Sequence, residues 1–291
     1  MARDSRLERG IGRLLLGGLI GYARLQSQLA RRLDSAGRFA EGVALEALTA
    51  EERASISSRL YARAAVYGAA GLHPWEEEWY QRALPSPPAR ILLGGCGSGR
   101  EVAALCDQGY CVFAAEPTPR LFHTAHERLK GRARVWPLSY EQWTARSNPP
   151  EVAALVSELL AQAPFDAVIL GWGSLSHVLD DRAREQLFAK LAQLCPSGPW
   201  LLSFIAASDA WRPQNERARH WGRSLGRLLG SQRPAGVRAP NERFLPHAGF
   251  VRRLSQAEIM ALAQSVQRSA EFGAPGAYPH CTLRLLGPPG G

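Results

Sequence analysis

The stretch PARILLGGCGSGREVAALCDQGYCVFAAEPT, residues 88–118, decides how the rest of the chain is read. Apolar Ile91, Leu92 and Leu93 run into a glycine cluster at Gly94, Gly95, Gly97 and Gly99. A periodic apolar segment with Val102 and Leu105 follows. A second apolar run, Cys111–Ala115, then closes on Glu116. That order predicts strand, tight turn, helix and strand, a βαβ unit with a lone carboxylate at the tip of its second strand. The glycines let the backbone turn sharply and approach a ligand with no Cβ in the way. The helix behind the turn offers free N–H groups and the positive end of its dipole to the same spot. Glu116 stands where such units carry an acid that accepts hydrogen bonds from a ribose diol.

Spacing separates two nucleotide readings. A dinucleotide fingerprint, G-x-G-x-x-G, would need its third glycine at position 100, which is Arg100. What stands here is Gly95-Cys96-Gly97-Ser98-Gly99. It resembles motif I of the class I S-adenosylmethionine-dependent methyltransferases, and Glu116 resembles the acid that holds the cofactor ribose in that family. The resemblance extends over about Ala89–Leu286. The apolar run Asp166–Leu170, entering Gly171-Trp172-Gly173-Ser174, resembles motif IV. The turn Pro196–Pro199 before the apolar run Trp200–Ala206 resembles the approach to strand five. Two strands near Val266–Phe272 and His280–Leu286 resemble the antiparallel hairpin that completes the family's sheet.

The resemblance implies an α/β fold: a Rossmann-like, seven-stranded, mostly parallel sheet with helices on both faces. It implies S-adenosyl-L-methionine as cofactor, held around Gly95, Cys96, Gly97, Ser98, Gly99, Glu116, Pro117, Ser139, Gly171 and Trp172. Ser139 belongs to the loop that commonly touches the adenine, where an acid is often found and here is not. A second departure is Leu93, which replaces the acid that often precedes motif I and removes a contact near the methionine amino group.

A chain of 291 residues can bury one large or two unequal cores. The net charge of +9 invites a nucleic-acid reading. Lys130 and Lys190 are the only lysines, however, so the charge is almost all arginine and mostly scattered. Five cysteines without a C-x-x-C pair imply neither a zinc framework nor a disulfide pattern, and no metal is expected. No apolar run is long enough to span a membrane. Asp4 and Glu8 argue against a signal peptide, so a cytoplasmic location is expected.

Residues 1–85 read as a helical cap or lid before the main domain, 86–291. Leu7, Ile11, Leu14, Leu15, Leu19, Tyr22, Leu25 and Leu29 recur at helical spacing, and the first helix is expected over about Ser5–Arg32 with a break at Ser35–Gly42. Its apolar stripe is expected to lie on the core, with a homodimer through the N-terminal helices or, less favoured, a membrane surface as the alternatives. Thr49 and Glu52 form a capping box. Pro74 opens a third helix whose Trp75 and Trp79 make an aromatic ridge. After strand five, residues 207–247 are an arginine-rich insertion. Its helix, Glu216–Leu229, is expected to pack through Trp221, Leu225, Leu228 and Leu229. Ser255 and Glu258 form a further capping box.

Methyl transfer from a sulfonium is an in-line displacement in which alignment and water exclusion matter most. A hydroxyl or protonated amine acceptor also needs a base. His177, Tyr140 and His247 are the candidates carried forward, with His220 beside them. The motif IV loop lacks the Asn/Asp-Pro-Pro-aromatic run associated with adenine or amide acceptors. The expected activity is methyl transfer to an O, N or S atom of a small molecule, a natural product or acidic metabolite, with Trp172 and Trp75 or Trp79 lining an apolar pocket. The alternatives are an RNA- or protein-directed methyltransferase or binding protein using the arginine-rich insertion, and then an NAD-dependent oxidoreductase.

Overall fold

The computed structural model describes residues 4–61, 71–207, 216–229, 241–246, 248–274 and 278–287. The helices are α1 Asp4–Ala47, α2 Ala50–Tyr61, α3 Pro74–Ala83, α4 Arg100–Asp107, α5 Pro119–Leu129, α6 Tyr140–Thr144, α7 Pro150–Leu160, α8 Asp181–Leu194, α9 Glu216–Leu229 and α10 Gln256–Ser265. The strands are β1 Arg90–Gly94, β2 Cys111–Ala115, β3 Arg134–Trp136, β4 Ala167–Leu170, β5 Trp200–Ser203, β6 Glu242–Leu245, β7 Gly249–Arg252, β8 Arg268–Phe272 and β9 His280–Leu285.

Seven strands form one sheet in the order β3-β2-β1-β4-β5-β9-β8. The pairs among β1 to β5 are parallel, and β9 pairs antiparallel with both β5 and β8. The chain leaves β1 toward β2 on one side and returns at β4 on the other. The C-terminal ends of β1 and β4 therefore form a topological switch point, where open α/β sheets bind ligands. This is the seven-stranded, Rossmann-like architecture implied by the glycine turn, with the closing hairpin in its expected place.

Strand alternation builds a core on each face. Leu92, Val168, Leu170, Trp200 and Leu202 pack against Leu159, Leu187, Leu191 and Ile259 of α7, α8 and α10. Ile91, Leu93, Ile169 and Leu201 pack against Trp79, Tyr80, Val102, Leu105, Ala125 and Leu129 of α3, α4 and α5. At Gly198 a Cβ would lie 1.8 Å from the Asp166 carbonyl oxygen, so the turn before β5 admits no side chain there. The buried Arg268 guanidinium lies 4.0 Å over the Trp200 ring and donates to the carbonyls of Cys195, Pro196 and Gly198. It ties the closing hairpin to that turn.

Local signals translate directly into helix starts. Thr49 Oγ1 accepts from Glu52 N at 3.2 Å and Thr49 N donates to Glu52 Oε2 at 2.8 Å. Ser255 caps α10 in the same reciprocal way, and Asp180 Oδ1 accepts from Ala183 N at 2.8 Å.

The chain divides into two compact units, residues 1–48 with 209–237, and residues 49–208 with 238–291. Helices α2 and α3, expected in the cap of residues 1–85, thus belong to the sheet-bearing unit. In the other unit α1 continues through the expected break at Ser35–Gly42. The reason is packing. A Cβ at Gly42 would stand 2.2 Å from the Arg219 carbonyl oxygen, and one at Gly222 would stand 2.0 Å from that of Phe39. The glycine allows the helix backbones of α1 and α9 to touch instead of ending the helix. Helix α9 has the expected bounds but the opposite orientation. Arg219, Gly222 and Gly226 are buried, whereas Trp221, Leu225, Leu228 and Leu229 are exposed. The end of the arginine-rich insertion holds a hairpin strand, β6, which periodicity did not reveal. Glu242 of that strand forms a buried ion pair with Arg53 at 3.0 Å.

Candidate functional site

The site grows from the turn after β1. Gly95, Gly97 and Gly99 have φ of +66°, +55° and +78°, a region costly for a residue with a Cβ. The turn is pinned from below, with Cys96 N donating to the Ala115 carbonyl at 3.0 Å. Glu116, buried at the tip of β2, accepts from Gly97 N at 2.9 Å and from Thr118 N at 2.8 Å. Burial raises its pKa, and those hydrogen bonds oppose the rise. The expected ribose acid thus also clamps the glycine turn. Cys96 is buried, and burial followed by the charges of Glu116 and Glu101 pushes its thiol well up. Ser98 is buried and Pro117 exposed beside Glu116.

Two side chains roof the turn. Tyr140 donates to or accepts from Ser174 Oγ at 2.8 Å. A Cβ on Gly94 would lie 2.7 Å from the Tyr140 hydroxyl, and one on Gly95 would lie 2.7 Å from Ser174 Cβ. Burial drives the Tyr140 pKa far up, which suits a hydrogen-bonding phenol and not a base. Ser139 spends its side chain capping α6, accepting from Gln142 N at 3.4 Å.

On the β4 side, a Cβ at Gly171 would meet Glu101 Oε2 at 2.7 Å. Glu101 lies in the first turn of α4, 4% exposed, and its Oε1 accepts from the Tyr80 hydroxyl at 2.5 Å. Next to it Arg100 holds Glu76 in a bidentate pair at 2.6 and 2.7 Å. Two buried carboxylates therefore lie near one guanidinium, which is bonded to Glu76. Burial, then the Glu76 charge, raises Glu101 to about 7, while Arg100 and Tyr80 oppose the shift. Trp172 adopts φ +40° between Gly171 and Gly173. Its ring packs 5.4 Å from His73 and 5.6 Å from the Arg100 guanidinium. A Cβ at Gly173 would lie 2.8 Å from the Tyr278 hydroxyl, and Tyr278 stacks on Trp75 at 4.9 Å. Trp79 turns into the core instead, donating to Thr282 Oγ1 at 2.9 Å.

His177 ends the 3₁₀ turn Ser174–His177. Its Nε2 meets the Tyr61 hydroxyl at 2.5 Å, and the Phe250 backbone bonds the ring as well. Burial lowers its pKa to about 4, so it is neutral at physiological pH. Held at both sides, it joins α2 and β7 to the motif IV loop. His220 is exposed on α9 in the other compact unit. His247 lies outside the described residues.

The glycine turn, Glu116, Tyr140, Gly171 and Trp172 are thus brought to the ends of β1, β2 and β4. Sequence reading missed Glu76, Tyr80, Glu101 and Ser174. Glu76 and Tyr80 do stand one helical turn apart, which was the available signal. Their partners on α4 come close only through the fold.

No family model matches this sequence, and no curated protein matches it significantly. Solved structures with similar folds include a Burkholderia thailandensis 1,6-didemethyltoxoflavin-N1-methyltransferase with its substrate and S-adenosylhomocysteine. It is 16% identical, with 82% of this chain and 91% of that chain covered at a TM-score of 0.47. Streptomyces venezuelae DesVI is 14% identical over 69% of this chain and 86% of its own, TM-score 0.47. A Methanosarcina mazei S-adenosylmethionine-dependent methyltransferase is 14% identical over 75% and 100%, TM-score 0.48.

Proposed function

We propose that the chain is an S-adenosylmethionine-dependent methyltransferase acting on a small, planar acceptor. The observation that carries this reading is the three-glycine turn at the sheet's switch point, with Glu116 at one flank and Gly171 at the other. The residues present fit the cofactor. Side chains at Gly95 or Gly171 would fill the cradle, and Glu101 Oε2 accepts no hydrogen bond from the described residues.

In this reading the backbone of Gly95–Gly99 lies along the cofactor and Glu116 receives the ribose hydroxyls, with Cys96, Ser98, Pro117 and Ser139 around it. Glu101 supplies the negative charge that Leu93 lacks, facing the ammonium. When bound, the cofactor supplies an electrophilic methyl group on a sulfonium. The chain's own work is to align the acceptor and exclude water. Trp172, Trp75, Tyr278 and His73 offer flat apolar surfaces that favour a planar molecule. Tyr140 and Ser174 present hydroxyls above the turn, suited to orienting an acceptor atom.

The arginine-rich insertion gives less support to a nucleic-acid partner. Arg219 and Arg223 engage Glu216 and Glu46, and Arg243 is buried. Calorimetric titration with S-adenosylmethionine, S-adenosylhomocysteine, NAD and a short RNA tests the reading. Tight binding of the first two is expected. Binding of NAD or RNA without S-adenosylmethionine would overturn it.

A further inference from the structure

Two runs of large apolar side chains in the smaller unit are exposed. On α1, Tyr22, Leu25, Leu29 and Leu33 are 57–68% exposed and share one helical face. On α9, Trp221, Leu225, Leu228 and Leu229 are 40–84% exposed. Among the described residues each helix thus has an exposed apolar face, while their mutual contact is made by Gly42, Gly222 and Gly226.

Charge states what kind of surface these faces fit. The acids of this part of the unit are Asp34, Glu41, Glu46 and Glu216, and each pairs with an arginine. Arg38 takes Asp34 at 3.6 Å and Glu41 at 2.9 Å. Arg223 takes Glu46 at 2.6 Å, and Arg219 Nε takes Glu216 at 2.9 Å. Arg31, Arg32, Arg217 and Arg227 remain exposed with no ion pair among the described residues. By helical phase Arg32 borders the α1 stripe and Arg217 borders the α9 face. The surface is thus apolar at its centre and positively charged around it. Two copies would bring like charges together. An anionic bilayer supplies both an apolar seat and the opposite charge. Trp221 and Tyr22 are the side-chain types that settle at the lipid headgroup level. No helix among the described residues is long and apolar enough to cross a membrane, so the geometry is one of lying on the surface.

We propose that α1 and α9 form a docking surface for an anionic lipid bilayer. Its apolar contact comes from Trp221, Leu225, Leu228 and the Tyr22–Leu33 stripe, and its charge contact from Arg32 and Arg217 at their borders.

Co-sedimentation of the full chain with phosphatidylcholine vesicles, with and without about one-third phosphatidylglycerol, tests this; each exposed arginine should favour the anionic vesicles by about fivefold. Binding at least about tenfold tighter to the anionic vesicles is expected, weakening as salt rises. A blue shift of tryptophan emission should accompany it. The double substitution Leu225→Glu/Leu228→Glu should abolish vesicle binding and leave S-adenosylmethionine affinity unchanged. Should that variant fold poorly, Arg32→Gln/Arg217→Gln should still reduce the anionic preference at least about tenfold. Equal binding to both vesicle types, or to neither, overturns the proposal. So does a dimer in sedimentation velocity that Leu225→Glu/Leu228→Glu abolishes while vesicles do not compete with it.

Discussion

Glu116 Oε2 receives the amide of Gly97 at 2.9 Å, and Oε1 receives that of Thr118 at 2.8 Å. The acid at the end of β2 therefore holds the left-handed backbone of the glycine turn in shape before any ligand arrives. Glu116→Ala leaves two amides without their charged acceptor. Hydrogen bonds to a charged group contribute about 1.5–3 kcal/mol each, so a fall of a few kcal/mol in unfolding free energy is expected. Urea denaturation measures it. S-adenosylmethionine affinity should drop at least about tenfold, the equivalent of 1.4 kcal/mol. A variant that binds as tightly as the parent would show that the ribose does not sit at Glu116.

Glu101 gives the cofactor reading a pH signature. Its folded pKa, about 7, stands above the ordinary carboxylate value, so the folded state holds the proton more tightly. The groups facing it are Tyr80, Glu76, Arg100 and Cys96. The contribution of Glu101 to stability is then fullest at acidic pH and declines as pH rises from the ordinary carboxylate range through about 7. Glu101→Gln should remove that decline and raise the melting temperature at alkaline pH. Binding of a cation should strengthen in the parent as pH passes 7, where Glu101 ionises, and stay flat and weaker in Glu101→Gln. Calorimetry on either side of that pH separates the two. Unchanged affinity in the variant removes Glu101 from the cofactor site.

His177 works in the opposite direction. Its folded pKa of about 4 lies below the unfolded value, so the unfolded chain takes the proton first as pH falls. The contribution is fully present above the unfolded histidine value and is lost as pH falls toward 4. His177→Leu should flatten the acid limb of the melting-temperature profile. A pH–rate profile should show no histidine limb traceable to His177 near neutrality. A limb that vanishes in His177→Leu would restore it as the base.

The Arg100–Glu76 pair is buried and bidentate, with side chains 8% and 0% exposed. Removing one partner of such a pair leaves an uncompensated charge, at a cost of about 3–5 kcal/mol. Arg100→Met should destabilise by that amount in urea. Glu76→Leu/Arg100→Met should be milder than the sum of the single substitutions. Additive losses would mean the two side chains act independently.

At Gly222 a Cβ would stand 2.0 Å from the Phe39 carbonyl oxygen, backbone that cannot swing aside. Gly222→Val should separate α9 from α1, read as faster proteolysis within α9. S-adenosylmethionine affinity should hold, because the glycine turn lies in the other unit. Unaltered proteolysis would contradict the close helix contact.

How much of this was legible beforehand follows from the range of each interaction. Capping at Thr49, Asp180 and Ser255 depends on residues three apart, and strands β2 and β5 on runs of apolar side chains. The position of Glu116 beside the glycine turn also followed from local spacing, since the turn and β2 belong to one βαβ unit. The reading of α9 failed because an apolar stripe shows amphipathicity and not which face is buried. Backbone contact through glycines has no hydrophobic signature at all. Ser35–Gly42 misled for the same reason, glycine being both a helix breaker and a helix-packing residue.

The sequence by itself determined the βαβ unit, the G-x-G-x-G turn with its acid at the next strand tip, the succession of the five parallel strands and the closing hairpin. Each depends on backbone preferences and neighbours a few residues apart. Only the tertiary structure decided that Glu101, Tyr80, Arg100 and Glu76 form one buried cluster beside Gly171. It also decided that His177 is held by Tyr61 and that Tyr22–Leu33 on α1 and Trp221–Leu229 on α9 carry exposed apolar side chains. Those outcomes depend on side chains tens to hundreds of residues apart meeting where water is excluded, and no local pattern encodes such a meeting.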